Sequence, residues 1–198
     1  MEFDGEKYHL DYDRPHSIGK VKGFLGSLPV VLRAYAWCVM MGPDGLREAA
    51  EISVINNNYL QKKIEQIPGL VIWYAKGHRR LDQVRYSWEK LTNDTGVTTD
   101  DVLRRVGDFG LQHYWSSHHP WVVPEPMTLE PCETFSKEDL DEYAEVLARI
   151  SAEAYATPDV VKNAPHKCAS HKRTNEAVLD DPQKWATTWR AYKRKWKE

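Results

Sequence analysis

Several groups of side chains in this chain have types and spacings that chemistry could use. Ser17-Ile18-Gly19-Lys20 ends on the Gly-Lys pair of a phosphate loop. Such a loop also needs an upstream glycine and a buried strand leading into it, so that consecutive backbone N–H groups cradle the phosphates. Both are missing here. Gly19, Gly23 and Gly26 also lack the apolar strand of a dinucleotide fingerprint, and they read as a close backbone pass near another surface. His113, His118 and His119 lie close together with Cys132 beyond them. Neighbouring residues of an extended segment point to opposite sides, so His118 and His119 are poorly placed to share one ion. No HExxH and no spaced Cys/His pair accompanies them, which favours polar residues lining a cleft or a partner surface over a metal site. Glu130 and Glu133 flank Pro131 and could do acid–base work, a weak signal at this spacing. No G-x-S-x-G elbow is present. Cys38 falls on the apolar face of an expected helix, where an inert buried thiol is the expected state.

The elements that must position these groups can be read in outline. Residues 1–26 read as an extended, loop-like leading segment, because Pro15 disfavours helix at Arg14 and glycines recur after it. An apolar helix is expected over 28–41 (Val31, Leu32, Tyr35, Ala36, Val39), stopped by Gly42-Pro43. A second is expected over 44–66. It carries Leu46, Ala49, Ala50, Ser53, Val54, Asn57, Leu60 and Ile64 close to one face and ends at Pro68-Gly69. Strands are expected at 70–75 and 83–88, joined by the basic turn Lys76-Gly77-His78-Arg79-Arg80, and at 121–129, where Pro124 and Pro126 demote it to an edge. Thr98 with Asp101 signals a helix over 99–107. Ser136 caps another over 137–155, with Leu140, Tyr143, Leu147, Ile150 and Ala154 at helical spacing and Thr157-Pro158 closing it.

These elements predict an α+β fold of long helices on a small antiparallel sheet. The domain division expected is a leading segment 1–26, a small domain 27–163 and a tail 164–198. With 198 residues, one sizeable core can be buried. The 27 basic and 29 acidic residues leave a formal charge of −2, which gives no reason to expect a nucleic-acid or anionic-membrane partner. No run approaches the roughly 18 apolar residues of a membrane span, and the polar N-terminus is no signal or transit peptide. Three cysteines without a CxxC pair fit a reducing compartment. A cytoplasmic protein is therefore expected. The 8 Trp and 10 Tyr imply a core or a large docking surface.

Read in order, several stretches form a single constellation. They are Leu10-Asp11-Tyr12-Asp13-Arg14-Pro15, Ser17-Ile18-Gly19-Lys20-Val21, Val31-Leu32-Arg33-Ala34-Tyr35-Ala36, Gly45-Leu46-Arg47-Glu48 and Asn56-Asn57-Asn58-Tyr59-Leu60. Asp108-Phe109-Gly110-Leu111, Leu129-Glu130-Pro131-Cys132-Glu133-Thr134, Ser136-Lys137-Glu138 and Asn163-Ala164-Pro165-His166 follow. Over residues 8–176 this order resembles the C-terminal region of the P-protein of the glycine cleavage system, in particular subunit 2 of its split form.

The resemblance implies the small C-terminal domain of a fold-type-I pyridoxal-phosphate enzyme, a glycine dehydrogenase. Enzymes of this family release CO2 from glycine and pass the aminomethyl group to the lipoyl arm of the carrier H-protein. The cofactor supplies the electron sink, and the protein supplies orientation and electrostatics. The family's cofactor lysine lies in a His-Lys-Thr segment before a glycine-rich run, in the large domain. His166-Lys167 and His171-Lys172 precede no such run. The expectation is a naturally split subunit or a truncated fragment, without a catalytic residue of its own. Pyridoxal phosphate would be held by a large-domain partner, and subunit 1 and the H-protein would be further partners. A non-catalytic interaction module, or a split enzyme acting on another amino acid, stands as the alternative.

Carried over residue by residue, Arg14, Ser17, Lys20, Arg33 and His113 are the candidates for the substrate or cofactor cleft. Arg33 is a cation in an apolar helix and needs a partner, either a substrate carboxylate or a structural one such as Glu48 or Glu51. The chain departs from the family at Gly110-Leu111-Gln112-His113-Tyr114-Trp115, which has one extra residue before Pro120, and at Cys132, which replaces a threonine. It departs again over 177–198, where Trp185, Trp189, Tyr192 and Trp196 would make one aromatic helical face. That helix would pack on its own domain or dock a large one.

Overall fold

Among the described residues, Trp88 and Tyr86 are the largest fully buried side chains, and the core forms around them. The computed structural model describes residues 2–21, 26–74, 77–112, 122–167 and Lys193. The expected Trp-rich tail helix therefore lies outside the described residues, apart from Lys193. The chain forms two compact units, Met1–Glu48 and Ala49–Glu198.

In the first unit, β1 (Glu2–Phe3) pairs antiparallel with β2 (Tyr8–His9). The turn between them is closed by Asp4, whose Oδ1 accepts the N–H groups of Glu6 and Lys7 at 2.9 Å each. These bonds, from Lys7 first and Glu6 second, hold the Asp4 carboxyl below its ordinary value. The Phe3 and Tyr8 rings pack at a tilt of 38° with centroids 4.9 Å apart. The leading segment is thus not wholly loop-like, because an Asx turn and one aromatic pair suffice for a short hairpin.

Helix α1 (Leu28–Ile64) starts in this unit, and its helical geometry breaks at Gly42, φ 63° and ψ 179°. A positive φ is accessible to glycine at little cost, and Pro43 suits the first turn of the stretch that follows. The stop expected at Gly42-Pro43 is thus a break between two helical stretches. No described residue of the first unit is buried; Asp11, Gly42, Gly45 and Leu46 are half-buried and the rest exposed. Cys38 is therefore exposed, which corrects the buried thiol expected from its helical position. Leu32, Tyr35 and Val39 beside it are exposed as well.

In the second unit, β3 (Val71–Ile72), β4 (Val84–Ser87) and β5 (Pro126–Leu129) form an antiparallel sheet in the order β3-β4-β5. Tyr86 stands opposite Ile72 on one side and Met127 on the other. The fold is the α+β arrangement expected. The strands are shorter than their apolar runs, and in the last of them pairing begins only at Pro126.

Helices α2 (Glu89–Thr95), α3 (Thr99–Asp108), α4 (Lys137–Ala156) and α5 (Pro158–Lys162) complete the unit. Thr98 and Ser136 each make the reciprocal bonds of a capping box, with Asp101 and Asp139 respectively. Leu60 and Ile64 of α1, Val102 and Val106 of α3, and Leu140, Leu147, Ile150 and Ala154 of α4 close over the sheet residues. Of the predicted α1 face, Ala49, Asn57, Leu60 and Ile64 are buried, while Ala50 is exposed.

The connection into this core passes through Gly69. Its carbonyl accepts Leu91 N–H at 3.1 Å, and Ser151 Oγ donates to the neighbouring Pro68 carbonyl at 2.6 Å. Gly69 has φ +80°, and a Cβ there would come within 2.9 Å of Leu91 Cβ and of the Tyr155 hydroxyl. Burial raises the Tyr155 pKa to about 12, helped by its hydrogen bond to Asp94. Gly69→Ala therefore suffers both backbone strain and overlap, and its expected cost is about 2–4 kcal/mol. Urea unfolding monitored by circular dichroism checks this, and an unchanged midpoint would show that the turn rearranges freely.

Candidate functional site

The expected cleft residues of the first unit divide into separate places. Arg14 reaches back along its own segment, pairing with Glu2 and, at 3.0 Å, with Asp11. Ser17 N–H donates to the Arg14 carbonyl at 2.9 Å, and Ser17 Oγ accepts Gly19 N–H at 3.0 Å. Arg14 and Ser17 thus share one turn, with exposed Lys20 just after it. Arg33 lies on α1, exposed, and no ion pair joins it to Glu48 or Glu51 among the described residues. His113 lies outside the described residues, as do His118 and His119. No group of His, Cys, Asp and Glu among the described residues is placed to hold a metal ion.

A cleft of about 350 Å³ in the second unit is the better-defined site. Its lining includes Leu111 and Gln112, Leu129 to Pro131, Thr134 and Phe135, and Asp139, Glu142 and Tyr143 of α4. Three of the motifs picked out in the sequence therefore meet there: Leu129–Thr134, the end of Asp108–Leu111 and the end of Asn56–Leu60. Leu60 and Leu140 supply its apolar floor, while Glu130, Asp139 and Glu142 are exposed carboxylates at its rim.

Asn56 on α1 positions the loop that forms this wall. Its Nδ2 donates to the Cys132 carbonyl at 2.9 Å and the Phe135 carbonyl at 3.0 Å. One side-chain amide with two donors can thus pin both ends of a four-residue turn. Ser53 Oγ stands 3.2 Å from Glu133 Oε2, one helical turn away on α1. Glu130 and Glu133 consequently serve different surroundings rather than one acid–base pair. Cys132 Sγ lies 2.9 Å from Thr134 Oγ1. Asn58 is a second clamp, exchanging hydrogen bonds with Arg80 through its Nδ2 at 2.7 Å and its Oδ1 at 2.9 Å. Sequence reading found these asparagines only as part of a motif, because their acceptors lie far along the chain.

The other approach to the cleft is held by Asp108. Its Oδ1 accepts the backbone N–H groups of His166 at 2.6 Å and Lys167 at 2.7 Å, and its Oδ2 accepts Arg105 Nη1 at 2.8 Å. Arg105 also donates to Glu153 of α4 at 2.9 and 3.2 Å. The Asp108 side chain is fully buried. Burial opposes its charge, but the bonds from Lys167, Arg105 and His166 outweigh it and hold its pKa below the ordinary value. Arg105 lowers that of Glu153 likewise. The guanidinium groups of Arg105 and Arg149 stand 5.0 and 5.6 Å from the ring centre of Phe109, next in the motif.

Pyridoxal phosphate requires a lysine amine that can give up its proton, a state reached by burial or by a neighbouring cation. No lysine among the described residues is buried. Lys63 and Lys137 both stand 2.5 Å from Asp141, which raises the pKa of each and keeps it protonated. The Tyr59 hydroxyl donates to the same carboxylate at 2.6 Å. The described residues do not fit the covalent anchor of this cofactor.

Comparison with known proteins defines the class to which this domain belongs. Residues 49–170 match the family of glycine dehydrogenase C-terminal domains, and the chain belongs to that family. The match begins at the first residue of the second compact unit. Among curated relatives, the probable glycine dehydrogenase (decarboxylating) subunit 2 of Pyrococcus abyssi is 42% identical over 192 residues, covering 96% of this chain and 37% of that protein. The protein of the same name from Pyrococcus furiosus is 43% identical, covering 94% of this chain and 36% of its own length. That from Thermotoga maritima is also 43% identical, covering 88% and 35%. The chain thus spans little more than a third of these relatives. A solved glycine decarboxylase (P-protein) of the glycine cleavage system, in inhibitor-bound form, superposes with a TM-score of 0.50 at 20% identity, covering 60% of this chain and 25% of that one. That likeness is one of fold.

Two outcomes follow from the clamps around the cleft. Asn56→Ala leaves two loop carbonyls without their donor and is expected to cost about 1–3 kcal/mol. It should also speed amide exchange across 132–135, and unchanged exchange there would show that the clamp does not hold the wall. Because the folded pKa values of Asp108 and Glu153 are depressed, their stabilisation is complete above the ordinary carboxylate range. It is lost as pH falls through the folded values. Asp108→Asn is expected to be about 2 kcal/mol less stable than the parent at neutral pH. The gap should close below about pH 4, as followed by melting temperature against pH.

Proposed function

We propose that this chain supplies the C-terminal small domain of a split P-protein-type glycine decarboxylase. In this reading a large chain brings pyridoxal phosphate, and this chain contributes a shaped wall beside the reacting centre. The complete enzyme releases CO2 from glycine and transfers the aminomethyl group to a lipoyl carrier, the H-protein. The cofactor supplies the electron sink; this chain's part is to orient and to exclude water.

The observation that carries the reading is the coincidence of the family match with the cleft. The loop 129–135, clamped by Asn56, and the segment fixed by Asp108 both fall within the matched residues and both line the same cavity. The relatives are named subunit 2, which supports a subunit 1 as a further partner. The relatives' extra length and the poor fit of the described lysines to the cofactor support a catalytic lysine on the large chain. No helix of the described residues is long and apolar enough to cross a membrane, which accords with a cytoplasmic setting. Arg14, Ser17, Lys20, Arg33 and His113 remain the residues proposed to face the composite cleft or the chain that completes it.

The test reconstitutes this chain with subunit 1 and with a large chain, identified in the source genome as the polypeptide matching the remaining length of the curated relatives. Carboxyl-labelled glycine and lipoylated carrier are supplied, and released CO2 is counted. Release is expected from the mixture and from no chain alone. Equal release when this chain is omitted would reduce it to a non-catalytic module. Release from another amino acid but not from glycine would overturn the substrate.

A further inference from the structure

The first unit contains a helical stretch, residues 28–41, whose apolar side chains are exposed. Across residues 28–41, Arg33 is the only charged side chain. At 3.6 residues per turn, Leu28, Leu32, Tyr35 and Val39 gather on one side of this helix. Val30, Trp37 and Met41 gather on the opposite side, and Met40 lies between the two. All of these side chains are exposed, Leu32 at 56%, Val30 at 57% and Met40 at 84%. An apolar patch of this extent marks an interaction surface. A helix apolar on every side belongs inside a core, whereas a two-fold seam between copies would need only one apolar face. The length also fits a core helix, since no helix of the described residues can cross a membrane.

Where the enclosing core comes from follows from the comparisons. The family match starts at residue 49, so this helix precedes the C-terminal domain proper. The Pyrococcus abyssi relative nevertheless matches 96% of the chain, this helix included, and nearly two thirds of that protein's length lies beyond the match. That remainder has the mass to surround a helix.

We propose that residues 28–41 insert as a plug into the large, cofactor-bearing portion of the enzyme, where Arg33 meets a carboxylate. The inference rests on the composite enzyme proposed above. It makes the helix the principal attachment of the two parts. It also explains the lone arginine: a guanidinium carried into a core requires an anion, so Arg33 sets the register of insertion.

The test titrates the full 198-residue chain into the purified large chain loaded with pyridoxal phosphate, using calorimetry. Binding is then read independently of turnover. Leu32→Asp, Val30→Asp and Met40→Asp place a charge on three different sides. Enclosure predicts that each weakens binding about a hundredfold. Arg33→Met is expected to lose a similar factor, and Arg33→Lys to retain part of it. Because these residues lie outside the second unit, its thermal unfolding should be unchanged in every variant. Wild-type-like affinity in any of the three aspartate variants, or no binding by the parent chain, overturns the proposal. So does a dimer of this chain that only one of the three dissolves. Tight binding lost in all three variants, without CO2 release from glycine, leaves the insertion standing and removes the proposed activity. Release from glycine with all three variants binding normally does the reverse.

Discussion

Asp108 is a carboxylate with no solvent to turn to. Removed from water at the end of α3, it is tolerable only because two backbone N–H groups from the segment after α5 and the guanidinium of Arg105 surround it. Much of the second unit is arranged to satisfy that requirement. Arg105 is itself held by Glu153 of α4, so one buried charge ties α3, α4 and the chain beyond α5 together. Phe109 and Leu111, the residues that follow, inherit a fixed direction and lead into the cleft. A less demanding group would leave that approach loose.

The cleft's opposite wall uses a gentler device. Neutral amides of Asn56 and Asn58 bridge from the well-anchored part of α1 to two loops, at Cys132–Phe135 and at Arg80. Loops without a hydrophobic face acquire shape through such long-range polar contacts. The wall is therefore only as well placed as the helix behind it. That helix is set by Leu60 and Ile64 in the core.

What was legible in the sequence is what depends on neighbours along the chain. Ser136 and Thr98 announce their helices because a capping box needs only residues three apart. Gly42-Pro43 announces its break for the same reason. Helix α2 escaped notice because Trp88 gives it no side-chain cap and only Leu91 of its residues is buried, too little for a periodic signal. Helix α5 was hidden by Pro158, which ends one helix and opens the next. The roles of Asn56 and Asp108 were illegible for a different reason. The backbone groups they hold lie 58 to 79 residues away, and no local pattern records such a pairing. Cys38 misled because an apolar helix suggests burial, whereas its thiol is exposed.

The break at Gly42 also separates two kinds of helical surface. Before it, Leu28, Val30, Leu32, Met40 and their neighbours are exposed, and after it the helix runs on to buried Asn57, Leu60 and Ile64. Glycine accepts the φ of 63° at this point, which a residue with a side chain would resist. An uncovered apolar surface of this kind is an aggregation liability, so a preparation that leaves it bare is expected to be limited by solubility before it is limited by the stability of the second unit.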